Sequence, residues 1–176
     1  MERTLSGELD AFEGIVRRWQ KPLIHLAYRF SHDQTRSEDM AQEAFLRAYR
    51  SLSSWRIDSA FSTWLYAVAL NCYRSEYRRK FREPVGLEDV AEPRDMRAAD
   101  SGLEKRSEEQ QLHRTVQSLP PKYREAVILF YLQEMSLKDT ADVLGIAEGT
   151  LKARLFRGRE MLRKKLVRDA KRKEEA

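Results

Sequence analysis

The sequence predicts an all-α protein made of two small helical domains. Apolar residues recur at helical spacing through most of the chain, and alternating β-branched runs are absent. Only seven Gly and five Pro interrupt 176 residues. Leu137–Lys165 reads as a helix, a short turn and a second helix. In that stretch Ala141 is small where two helices must touch, and Gly145 stands where the turn needs positive φ at no steric cost. Ile146 plugs the corner, and Leu151 and Leu155 give the second helix a buried face.

Ahead of residue 84, four helices are legible. Glu8–Trp19 carries Leu9, Phe12, Ile15, Val16 and Trp19 on one face. Pro22 is suited to open a second helix as its first residue, followed by Leu23, Leu26, Ala27 and Phe30. Ser37 fits the N-cap of a third, with Glu38 and Asp39 in its first turn and an apolar stripe from Met40 to Leu52. A fourth starts near Ser59 and runs to about Phe81, burying Phe61, Trp64, Leu65, Val68 and Cys72. Pro84–Gly102 holds two of the prolines, two of the glycines and no sustained period, so it reads as a flexible linker. After it come a helix over about Glu104–Leu119 and one opening at Pro121. The expected domains are 1–83 and 103–170, joined by 84–102.

Charge is divided along the same boundaries. Residues 1–83 carry 14 basic and 11 acidic side chains, residues 84–110 carry 4 and 8, and residues 111–176 carry 15 and 9. Two basic lobes around an acidic connector point to a polyanionic partner, most simply nucleic acid. With 41% apolar and 35% charged residues, the chain is expected to fold. The N-terminus has no signal-peptide core and no apolar run approaches membrane-spanning length, so a cytoplasmic location without membrane insertion is expected. Cys72 is alone, on an apolar helix face, and reads as a buried small hydrophobe. His25, His32 and His113 lack metal-ligand spacing. No glycine-rich phosphate loop and no nucleophile constellation is present, so neither an enzyme, a metal nor a cofactor is expected.

Three helix faces carry the functional signal. On the third helix Asp39, Gln42, Glu43, Leu46 and Arg50 share one side, with an apolar residue amid carboxylates. Spacing alone leaves that side open between a solvated surface and a docking surface. The fourth helix interleaves Trp64, Tyr66, Tyr73, Tyr77 and Phe81 with Arg74, Arg78, Arg79, Lys80 and Arg82, and Asn71, Arg74 and Arg78 project together. Aromatics usually serve the core, but tyrosine beside arginine also suits stacking on unpaired bases. On the last helix Thr150, Lys152, Ala153, Phe156 and Arg157 lie opposite the Leu151/Leu155 face, and eight Lys/Arg stand against Glu160 between Lys152 and Arg168. An αα-hairpin with a solvated basic face is the plainer alternative to a helix that enters a major groove. Ala147 departs from the pattern, because a Ser, Thr or Asp would be expected to cap that helix.

DQTRSEDMAQEAFLRAYRSL, FSTWLYAVALNCYRSEYRR and LPPKYREAVILFYLQEMSLKDTADVLGIAEGTLKARLFRGREMLRKKL, in that order, resemble a bacterial RNA polymerase sigma factor. The likeness is to the small extracytoplasmic-function class, which retains only domains σ2 and σ4. The resemblance implies that Asp39, Gln42, Glu43 and Leu46 dock on the β′ coiled coil of core polymerase, with the β flap as a second contact. It implies that Ser59, Ala60, Asn71, Arg74 and Arg78 take the −10 element and hold a flipped base. Lys152, Ala153, Phe156 and Arg157 would read the −35 element, with Thr150 and Arg154 on phosphates. Promoter DNA and an anti-sigma factor are the further partners it implies. An operator-binding regulator would carry a sensor lobe, typically α/β, in front of its helix–turn–helix, and residues 1–83 show no such alternation.

Overall fold

In a computed structural model the chain is described over residues 9–55, 60–82 and 103–174. These residues are helical, with no strand among them. Helices α1 (Leu9–Ser31), α2 (Gln34–Arg50) and α3 (Phe61–Arg82) pack as an N-terminal bundle, with a 3₁₀ turn at Leu52–Ser54. Helix α4 (Leu103–Gln117) leads into α5 (Pro121–Val127), which passes directly into a π turn over Ile128–Leu132. Helices α6 (Leu137–Leu144) and α7 (Glu148–Glu174) complete the C-terminal half. The expected linker and the start of the first helix at Glu8 lie outside the described residues.

Two helix starts differ from the sequence reading. Pro22 does not open a second helix; it lies inside the unbroken 23-residue α1. An internal proline costs about 3 kcal/mol through its missing N–H and its ring. A single axis keeps Phe12, Ile15, Val16 and Trp19 in line with Leu23, Leu26 and Ala27, which are fully buried. Each buried Leu contributes about 1.5–3 kcal/mol, so the stripe outweighs the break. The cap of α2 is Asp33, whose Oδ1 accepts from the Arg36 N–H at 2.9 Å, and not Ser37. Ser37 is buried one turn later, with its hydroxyl on the Asp33 carbonyl and the Ser31 hydroxyl.

Tyr73 ties the N-terminal bundle together. Its ring is buried and its hydroxyl donates to the Leu23 carbonyl at 3.1 Å, joining α3 to α1. Burial pushes the phenol far above its ordinary range, so it stays a donor. Next to it the buried Cys72 thiol is raised to about 11 by desolvation, in keeping with the packing role read from the sequence.

The helix–turn–helix forms as the residue types require. Ser136 caps α6: its Oγ accepts from the Asp139 N–H at 3.0 Å, and the Asp139 carboxylate accepts from the Ser136 hydroxyl. Gly145 ends the helix in the left-handed region at φ 66°, and the Ile146 N–H reaches back to the Ala141 carbonyl at 3.0 Å. Ala141, Leu151 and Leu155 are buried. Ala147 offers only its backbone: its carbonyl accepts from the Leu151 N–H at 3.0 Å. Packing of α7 on α5 therefore holds a helix that has no side-chain cap at that position.

Candidate functional site

The α2 face is exposed as a unit. Asp39, Gln42 and Leu46 face solvent, Glu43 is half-buried, and Leu46 is 52% exposed despite its apolar side chain. Glu43 Oε1 accepts from Arg47 Nε at 2.7 Å, which strengthens the protonation of Arg47. Beside this face a groove of about 400 Å³ opens between α2 and α3, with Arg36, Asp39, Glu43, Cys72 and Glu76 on its walls. Arg36 and Glu76 pair across it at 3.4 Å. An apolar knob beside carboxylates matches a basic, partly apolar partner surface.

On α3 the structure brings Asn71 and Arg74 together: Asn71 Oδ1 accepts from Arg74 Nη1 at 3.1 Å. Asn71 and Arg78 are exposed, as is Ala60 just before the helix, whose carbonyl accepts from the Trp64 N–H at 3.2 Å. Ser59 lies outside the described residues. Trp64 is only half-buried against the core, and Trp19 meets Tyr66 edge-on at 6.0 Å. Arg74 does not face open solvent. Its Nε and Nη2 donate to Glu125 Oε1 and Oε2 at 2.9 and 2.7 Å, and this pairing raises its pKa.

Helix α7 presents Thr150, Lys152, Ala153, Phe156 and Arg157 to solvent, with Arg154 half-buried at the edge. Phe156 is 58% exposed. Such a side chain on a basic helix face has the chemistry to meet a base edge or a thymine methyl.

Sequence reading missed the residues that join the two halves. Besides Arg74–Glu125, Thr63 Oγ1 donates to Asp139 Oδ1 at 3.4 Å and Gln117 Nε2 to the Arg29 carbonyl at 2.6 Å. The His32 and His113 rings stack with centroids 4.0 Å apart. One signal was present. Glu125 falls between Arg124 and the apolar run Ala126–Leu129, and a carboxylate on a buried face needs a partner. Its partner lies 51 residues away, which no local pattern reveals.

Among the described residues no three His, Cys, Asp or Glu side chains gather to hold a metal ion, and no helix is long and apolar enough to cross a membrane.

Two family models match the chain, Sigma-70 region 2 over residues 15–83 and Sigma-70, region 4 over residues 109–162. The RNA polymerase sigma-H factor of Pseudomonas aeruginosa is 34% identical, with 94% of this chain and 91% of that protein covered. ECF RNA polymerase sigma factor SigW of Bacillus subtilis is 36% identical, with 94% of each covered. Among solved structures, the sigma factor RpoE in complex with the anti-sigma factor NepR from Bartonella quintana is 26% identical, with a TM-score of 0.67 over 90% of this chain and 98% of that one. The first matched region spans α1 to α3, and the second spans the helix–turn–helix with its basic, exposed face. The chain belongs to the ECF sigma factors, the non-enzymatic initiation factors that bind RNA polymerase and direct promoter-specific transcription.

Proposed function

We propose that three helix faces divide the work of initiation. Asp39, Gln42, Glu43 and Leu46 on α2 dock on the β′ coiled coil, and the β flap meets the C-terminal half. Ala60, Asn71, Arg74 and Arg78, with Ser59, take the −10 element and capture an unpaired base. Lys152, Ala153, Phe156 and Arg157 read the −35 element, while Thr150 and Arg154 meet phosphates. Residues 1–83 and 103–170 act as separate domains on a linker at 84–102. The protein works in the cytoplasm, without a catalytic residue, since phosphate contacts, base readout and base capture supply the free energy. An anti-sigma factor is its regulator, by likeness to RpoE with NepR.

The observation that carries this reading is the exposure of Phe156 amid Lys152 and Arg157. Run-off transcription with core polymerase and a promoter library tests it. Arg157→Ala should change which upstream sequences are selected. Asn71→Ala should keep the upstream footprint and lose permanganate reactivity at the −10 element. Unchanged selection and unchanged melting would overturn these assignments.

A further inference from the structure

Helix α1 carries an outward stripe of cations that the three faces assigned above leave unused. From Gly14 to His32 the chain holds Arg17, Arg18, Lys21 and Arg29 and no acidic residue. Arg18, Lys21, His25 and Arg29 follow one another at steps of three, four and four residues, which sets them in line on the side away from the buried Leu23, Leu26 and Ala27. All four are exposed, and the line runs for about 16 Å at the rise of an α-helix. Arg29 stands at the seam where the two halves meet; its carbonyl accepts from Gln117 Nε2 at 2.6 Å, and the residue stays exposed.

A solvated helix face ordinarily mixes signs. Elsewhere in this chain Glu13 meets Arg17, Glu43 meets Arg47 and Glu160 meets Arg163 about one turn apart. Among the described residues no carboxylate pairs with Arg18, Lys21 or Arg29. Arg18 lies over the Trp19 ring at 5.8 Å instead. Like charges one turn apart, as at Arg17 and Lys21, work against a helix. Only Arg29 lies in the last turn, where the helix dipole favours a cation. The stripe therefore weakens its own helix, and its compensation comes from outside the chain.

We propose that the outer face of α1 is a further DNA contact, in which Arg18, Lys21 and Arg29 bind backbone phosphates of promoter DNA. It adds to the three faces assigned above and leaves their roles untouched. Promoter DNA is the polyanion on which this family works. One strand carries a phosphate about every 3.4 Å along the duplex axis, so a line of cations this long faces about five of them. Half-buried Tyr28, seven residues after Lys21 and so on the same side, sets an aromatic ring among the cations, as surfaces that track a nucleic-acid backbone do. Because exposed cations on a helix read charge and not base edges, the contact adds affinity without sequence preference.

The test uses holoenzyme assembled from core polymerase and the full-length chain. Arg18→Gln, Lys21→Gln and Arg29→Gln combined remove three charges from an exposed face and keep long polar side chains, so the helical spectrum should not change. Core binding should be unaltered. The slope of log affinity for a promoter fragment against log salt should fall by about 2 to 3, at about 0.7 to 0.9 per lost phosphate contact. The advantage of the wild type should therefore shrink on the order of tenfold or more between roughly 50 and 200 mM salt, with promoter preference unchanged. If circular dichroism shows the triple variant unfolded, Lys21→Gln decides alone, with an expected fall in slope of about one. Cys72 is the chain's one cysteine and is buried, so Lys21→Cys offers the thiol that a reagent reaches first. An iron chelate tethered there should cleave the promoter backbone within the complex. An unchanged salt slope in the folded variant, or no cleavage from position 21, would overturn the proposal. Loss of core binding would overturn it too, by giving the stripe to an acidic surface of the polymerase.

Discussion

Gly158 of α7 and Val127 of α5 approach so closely that an added methyl group would be crowded. A Cβ at Gly158 would stand 3.0 Å from Val127 Cγ2 and 3.7 Å from Tyr123 Cβ. This close approach seats α7 on the C-terminal core, and Val127 is itself buried with a stiff χ1. Gly149, nine residues earlier on the same helix, has open space around its Cα.

The two glycines should therefore respond oppositely to alanine. Gly149→Ala removes backbone entropy from the unfolded chain and should stabilise by about 0.5–1 kcal/mol. Gly158→Ala makes the same entropic gain but forces Val127 aside, at about 1–3 kcal/mol for overpacking, so it should lower the melting temperature. Equal shifts from both variants in thermal melts would refute the close packing of α7 on α5.

Glu43→Lys should abolish co-purification with core polymerase while leaving the helical spectrum intact. The change breaks the exposed pair with Arg47 and sets like charges four residues apart, a cost of only about 0.2–0.5 kcal/mol to the helix. Normal polymerase binding by the folded variant would remove α2 as the docking face.

Arg157→Ala and Arg154→Ala should separate base reading from phosphate contact. Loss of a base-edge contact by exposed Arg157 costs about 1–3 kcal/mol and relaxes one or two upstream positions. Loss of a phosphate contact by half-buried Arg154 weakens binding to every sequence and lowers the salt slope by about one. Equal, sequence-independent losses would place base readout elsewhere.

The histidine stack makes the seam sensitive to acid. Desolvation, and then the neighbouring His32, lower His113 to about 4. His25, Tyr28 and Arg29 of α1, with Leu112 and Val116 of α4, line a groove around the two rings, and Gln117 Nε2 lies 3.2 Å from the His113 ring. The packed seam holds His113 neutral, whereas the parted seam lets it titrate near its ordinary value of 6.5. Stability from this packing is thus complete above about pH 6.5 and is lost as pH falls toward 4. Scattering should show the wild type expanding between pH 7 and about 5, a change that His113→Asn should blunt. The same expansion in both would assign it to carboxylates instead.

Local order was open to sequence reading wherever a residue type has one geometric use. Gly145 in the left-handed turn, Pro121 at a helix start and Leu151 with Leu155 on the buried face are all of this kind. The α2 and α7 faces were legible for the same reason, because helical periodicity alone separates Leu46 and Phe156 from the core stripes. Helix starts were less so: Asp33 and Ser37 both have a side chain suited to capping, and Pro22 reads as a break until the stripe across it is seen to bury along a single helix axis.

By itself, then, the sequence determined the helical class, the order of the two halves, the helix–turn–helix and which side of α2 and of α7 faces solvent. Those properties depend on residues within a turn or two of each other. Only the tertiary structure decided that Arg74 spends its charge on Glu125, that Thr63 meets Asp139 and that His113 lies on His32. Each of these joins residues fifty or more positions apart. Such pairs depend on how two amphipathic bundles come to rest against each other, and exposed polar residues carry no periodic mark of the partner they will find.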